Sequence, residues 1–90
     1  MKRTYPVRNP DIVARKEEKE ALLFNPNDGE ILCINGTGIL IWDLCDGSCA
    51  IEDIAGQITD KYEVPAEKAK EDCLDFLKKL EEPGFIGYKA

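Results

Sequence analysis

Glu30-Ile31-Leu32-Cys33-Ile34-Asn35-Gly36-Thr37-Gly38-Ile39-Leu40-Ile41-Trp42-Asp43-Leu44 is the stretch on which the fold turns. Ile31 to Ile34 is an apolar run of strand length. Asn35-Gly36-Thr37-Gly38 then supplies cap chemistry, the side-chain oxygen of Asn35 or Thr37 being suited to the free amides of a first helical turn. Ile39 to Leu44 is apolar nearly all round, which predicts a short helix buried on most sides. Asp46-Gly47 ends it, with glycine supplying a left-handed cap.

Working back from this stretch, Asn25-Pro26-Asn27-Asp28-Gly29 concentrates turn-forming residues. Ahead of it lies a second apolar run, Ala21-Leu22-Leu23-Phe24. Strand, turn and strand is the simplest reading. A charged hairpin-like stretch, Arg15 to Glu20, separates these from Ile12-Val13-Ala14, which reads as an edge strand and completes a three-stranded meander. Residues 1–10 are polar, contain Pro6 and Pro10, and predict a loosely held, flexible arm ahead of a single domain over 11–90.

Working forward, Ile51, Ile54, Ala55, Ile58 and Tyr62 form one helical stripe. Val64-Pro65 breaks it, with Pro65 suited to the first turn of a third helix. From Ala66 to Glu82, Ala66, Ala69, Cys73, Phe76, Leu77 and Leu80 share a face, while Leu74 lies to the side on the flank of Lys70 and Lys78. Pro83-Gly84 stops that helix, and Phe85-Ile86-Gly87-Tyr88 either returns as a short strand or packs on the core. Segregated strands and helices mean α+β. A three-stranded antiparallel sheet followed by three helices suggests a winged helix-turn-helix.

The chain has 90 residues, a net charge of −6 and no histidine. Without histidine, a Ser-His-Asp triad, a Cys-His dyad and any His-containing zinc site are excluded. No window reaches the roughly 18 apolar residues a membrane span needs, and no secretory signal opens the chain, so a cytoplasmic location is expected. A winged helix invites a nucleic-acid role, but the charge opposes it. Glu20 to Asp60 carries eight acids and no base, and the third helix sets Lys68, Lys70, Lys78 and Lys79 against six carboxylates. No nucleic-acid or membrane partner is expected. The carboxylates are scattered, with no pair tied to one pocket, and no catalytic residue is assigned.

Cys33, Cys45, Cys49 and Cys73 could form two disulfides or hold a metal or iron–sulfur cluster. Cys45-x₃-Cys49 lacks the zinc-ribbon spacing, however. Cys33 sits in a strand run and Cys73 on a helix stripe, where cysteine acts as a small hydrophobe. Free structural thiols and no cofactor are the expectation.

Residues 31–34 are apolar on both strand faces, so the second face needs cover. The third helix could supply it completely. Alternatively its cover is incomplete, leaving a groove between this strand and the helix flank at Leu74, where an edge strand can accept an extended peptide. By geometry the helix contacts in such a groove would include Lys70, Cys73, Leu74, Leu77 and Lys78.

The ordered set Asn35, Thr37-Gly38, Ile41-Trp42 and Asp46-Gly47 resembles the PqqD family of pyrroloquinoline quinone (PQQ) biosynthesis. So do the following Ile51-to-Ile54 helix start, Phe76, Leu77 and Leu80, and the Gly84-to-Ile86 close. The likeness runs over roughly residues 5 to 88. Ala50 stands where the family usually has threonine, which removes an N-cap worth about 1 kcal/mol. Gly36 replaces a bulkier residue or proline. The resemblance implies a winged helix-turn-helix that is not a DNA reader. It implies a non-catalytic adaptor that binds the leader of a ribosomally made precursor peptide and presents it to a modifying enzyme, a radical S-adenosylmethionine enzyme in the PQQ case. It also implies that the leader adds as an antiparallel strand beside Glu30, Ile31, Leu32, Cys33 and Ile34. A winged-helix regulator or protein-interaction module, and a cysteine-bound metal carrier, remain the alternatives.

Overall fold

The computed structural model describes residues 4–89. The order is β1 (Tyr5–Arg8), β2 (Val13–Lys16), β3 (Glu20–Phe24), β4 (Ile31–Asn35), α1 (Gly36–Leu44), α2 (Ile51–Tyr62), α3 (Ala66–Glu81) and β5 (Ile86–Lys89). This is α+β, with a three-stranded antiparallel sheet in the order β2-β3-β4 and three helices.

β1 and β5 form a second, two-stranded antiparallel sheet, with Tyr5 opposite Lys89 and Arg8 opposite Ile86. The loose arm expected over residues 1–10 is therefore, from Tyr5 to Arg8, a paired strand with Pro6 wholly buried. The rest of the expected arm at residues 1–3 lies outside the described residues. The two prolines do not prevent pairing, because proline costs a strand only its own N–H and fits an edge. β1 is tied on its other side as well. The Arg8 N–H donates to Cys45 C=O (2.7 Å) and the Gly47 N–H to Pro6 C=O (3.0 Å).

The three-stranded sheet sorts its residues with period two. Ala21, Leu23 and Ile34 point inward and are at most 3% exposed. They join Ile41, Trp42, Ile54, Leu77, Leu80 and Phe85 in one core. The sheet's second face is not covered by α3. Leu22, Phe24, Ile31 and Val13 all remain exposed there.

α1 packs Gly38, Ile41 and Trp42 inward. Asn35 is its N-cap in extended geometry but makes no side-chain cap bond, unlike the expected capping. Gly47, at φ 83°, makes the left-handed turn beyond the helix end. Arg8 satisfies part of that end, its Nη1 donating to the carbonyls of Trp42 (2.8 Å) and Asp43 (2.9 Å). The same guanidinium lies 5.9 Å from the Trp42 ring centre, within cation–π range.

α2 has no capping oxygen at Ala50, and Asp53 compensates by accepting the Ala50 N–H at 3.0 Å. α3 ends in a Schellman motif around Gly84, at φ 83°. There the Phe85 N–H reaches Leu80 C=O and the Gly84 N–H reaches Glu81 C=O, both at 2.9 Å. That turn buries Phe85 and launches β5.

Candidate functional site

Each end strand of the three-stranded sheet leaves one backbone edge unpaired. The edge at β2 carries Arg15 and Lys16, charges that discourage another strand from adding. The edge at β4 has no charged side chain from Ile31 to Asn35. Asn25 N–H donates to Glu30 C=O (2.9 Å) where the β3–β4 hairpin closes. From that bond, antiparallel alternation assigns Leu32 and Ile34 to β3 and turns the N–H and C=O groups of Ile31 and Cys33 toward the open edge.

Beside this edge lies a cleft of about 310 Å³. Cys33, Ile34 and Asn35 line it from β4, Thr37, Gly38 and Ile41 from α1, and Asp72 and Phe76 from α3. Gly38 decides its shape. A Cβ on Gly38 would sit 2.8 Å from the Phe76 ring and 3.3 Å from Ile34, so only glycine lets that ring lie against α1. Asp72 pairs with Lys68 at 3.4 Å, with both side chains about half exposed, so the bond adds little stability.

The Cys33 thiol contacts Glu20 Oε2 at 3.5 Å. Desolvation raises its pKa, and the hydrogen bond and charge of Glu20 raise it further. The shift favours the thiol over the thiolate that metal binding requires. Burial likewise pushes Cys45 to about 12 and Cys73 to about 11, with the neighbouring Cys73 thiol also raising Cys45. All four cysteines are free thiols, and among the described residues no three Cys, Asp or Glu side chains converge as a metal site.

The structure gathers only part of the residue set expected from sequence. Ile31 and Cys33 are exposed at the edge, Leu32 is half-buried, and Ile34 reaches both core and cleft. Glu30 precedes the strand in the turn, its N–H donating to Asp28 Oδ1 at 2.9 Å. The helix residues require correction. Cys73 and Leu77 are wholly buried in the core. Lys70, Leu74 and Lys78 are exposed but lie at least about 120° round α3 from Phe76, away from the cleft. Sequence reasoning missed Thr37, Gly38, Ile41, Asp72 and Phe76. The one available signal was Phe76 at the margin of its helix stripe, since a core stripe has two flanks and spacing alone does not say which one faces the strand.

A larger cleft of about 370 Å³ lies between β1, β2 and the end of α1. Arg8 borders it, but its Nη1 is already engaged by the α1 carbonyls, and no uncharged strand edge opens there.

A small α+β module with a bare, uncharged strand edge beside a cleft of mixed polar and apolar lining is the architecture these observations define. The chain matches the family model described as Coenzyme PQQ synthesis protein D (PqqD) over residues 20–86, and it belongs to that family. No curated protein matches it. Among solved structures, it is similar to TbiB1 in complex with the TbiA(beta) leader peptide. That match has 24% identity and a TM-score of 0.83, and covers 93% of this chain and 99% of that one. Lasso peptide synthetase B1 complexed with the leader peptide is similar at 24% identity and a TM-score of 0.81, covering 91% and 96%. The heterocyclase TruD matches at 20% identity and a TM-score of 0.63 over 97% of this chain but 12% of its own. At these identities the likeness is one of fold.

Proposed function

We propose that this protein is a non-catalytic adaptor that binds the leader segment of a ribosomally made precursor peptide and presents it to a modifying enzyme. The observation that carries this reading is the β4 edge, uncharged and unpaired at Ile31 and Cys33, beside a cleft bounded by Gly38 and Phe76. A strand added antiparallel there gains backbone hydrogen bonds from the edge and side-chain pockets from the cleft. Membership of the PqqD family supports the reading, as does the shared fold with two proteins solved with leader peptides.

The finer parts of the reading follow the same family. The helices and the β2–β3 wing are taken as a winged helix-turn-helix used for peptide rather than DNA, in keeping with the acidic charge of the chain. The modifying enzyme is taken as a radical S-adenosylmethionine enzyme and the compartment as the cytoplasm, where free thiols persist. On α3, Phe76 and Asp72 replace the earlier helix contacts, while β4 keeps its role. No helix among the described residues is long and apolar enough to cross a membrane.

Short peptides selected from a random display library on the full chain provide the test. Titrated into isotope-labelled protein, a selected peptide is expected to shift the amide resonances of Ile31 to Asn35 together with Gly38 and Phe76. Shifts confined to other surfaces, or no binding at high micromolar peptide, would overturn the proposal.

A further inference from the structure

The outer face of the three-stranded sheet carries an apolar row that no element among the described residues covers. The register places Val13 opposite Phe24 and Phe24 opposite Ile31, so the three stand side by side across the strands. They are 55%, 38% and 64% exposed, and Leu22 beside them is 38% exposed. Contiguous apolar surface of this kind on a small domain marks a contact site more often than not.

The ladder itself says what stands beside the row at Ile31. The unpaired N–H and C=O groups of β4 belong to Ile31 and Cys33, whose side chains point to the outer face. In an antiparallel pair, residues directly opposite each other point to the same face. Residues of an added strand opposite Ile31 and Cys33 therefore stand on the outer face, continuing the apolar row. The residues between them point the other way, into the cleft beside Gly38 and Phe76. An added strand therefore meets apolar surface on its outer side and a mixed cleft on its inner side, where Ile34, Ile41 and Phe76 stand beside Asn35, Thr37 and Asp72.

We propose that the segment this chain recognises carries large apolar residues at its outward positions, and that Ile31 selects for them. The inference rests on the strand-addition reading above and adds to it the class of peptide bound. The outward side chains of the bound peptide, seated as a fourth strand, thus extend the row beyond Ile31. Charge supports this. Arg15 is paired with Glu17 at 2.9 Å, and Glu20 is engaged by Cys33. A charged peptide residue opposite Ile31 would lose water beside an apolar neighbour.

The test is a double-mutant cycle between Ile31→Thr in the full chain and threonine at the facing residue of a display-selected, fluorescein-labelled peptide. Ile31 is largely exposed and threonine suits a strand, so the variant keeps the fold. Each single change is expected to weaken binding about fivefold, with the double change little weaker than either alone. Selected peptides should also carry an apolar residue at the position facing Ile31. Independent, additive effects would overturn the inference while β4 and cleft resonances still shift, leaving strand addition intact. So would selected peptides that place a charged residue opposite Ile31. A peptide that leaves the β4 resonances unmoved would remove strand addition and this inference together.

Discussion

Leu22 and Leu23 are adjacent in β3 and chemically identical, yet Leu23 is completely buried and Leu22 is 38% exposed. The contrast extends across the sheet. Ala21, Leu23 and Ile34 face the helices, while Leu22, Phe24 and Ile31 face solvent. Both sides are apolar, but only the inner one is covered within the chain. The inner face is where burial holds the fold together. The outer face, with the β4 edge that borders it, is apolar surface kept outside the core.

If that division is right, the two leucines answer differently to truncation. Leu23→Ala should cost about 2–5 kcal/mol of unfolding free energy, because it removes core packing and leaves a cavity. Leu22→Ala should cost less than about 1 kcal/mol. Urea unfolding of both variants measures the difference, and equal losses would break the comparison. Gly38→Val probes the boundary between core and cleft. Its side chain must displace the Phe76 ring, so a loss of about 1–3 kcal/mol is expected. Binding of a β4-directed peptide should fall with it.

The thiols give an effect that is absent at neutral pH and appears only in base. Cys45 and Cys73 are wholly buried, with pKa values pushed from 9.0 to about 12 and about 11. Above pH 9 the unfolded chain releases these protons while the folded chain keeps them, so the unfolded state binds fewer protons and stability falls with pH. Their contribution is fully present below pH 9 and is lost as pH rises toward 11–12. The urea midpoint should therefore be insensitive to Cys45→Ala/Cys73→Ala between pH 7 and 9, apart from a constant offset. Above pH 9 it should decline more steeply in the parent chain than in the double variant. Parallel curves would remove the thiols from the account. On the outer face, exposed Cys33 should react with a thiol reagent in the native protein at pH 8, whereas Cys45 and Cys73 should react only on unfolding.

Much of the architecture was legible because it depends on local pattern. Turn chemistry at Asn25 to Gly29 joins two apolar runs, and the observed β3 and β4 flank it. The Ile51–Tyr62 stripe matches α2, and Pro65 and Gly84 bracket α3 as read. The β1–β5 sheet was not legible. Tyr5 to Arg8 has no apolar run and includes a proline, and its partner lies at the other end of the chain. Its pairing rests on distant contacts, the Arg8 N–H on Cys45 C=O, the Gly47 N–H on Pro6 C=O and the Arg8 guanidinium beside Trp42. The helix side of the cleft was misread for a related reason. The period of 3.6 residues identified the buried stripe of α3, but it is indifferent to which flank turns toward β4.

By itself, then, the sequence determined that Ile31 to Ile34 is a strand apolar on both sides, that a buried helix follows it, and that the surface is acidic and lacks histidine. These follow from residue type and short-range spacing. Only the tertiary structure decided that β4 is an open edge, that Phe76 and Asp72 face it, and that Val13, Phe24 and Ile31 align in an uncovered row. Such facts depend on strand order, register and the rotation of α3 about its axis, which are fixed by contacts between residues far apart in the chain.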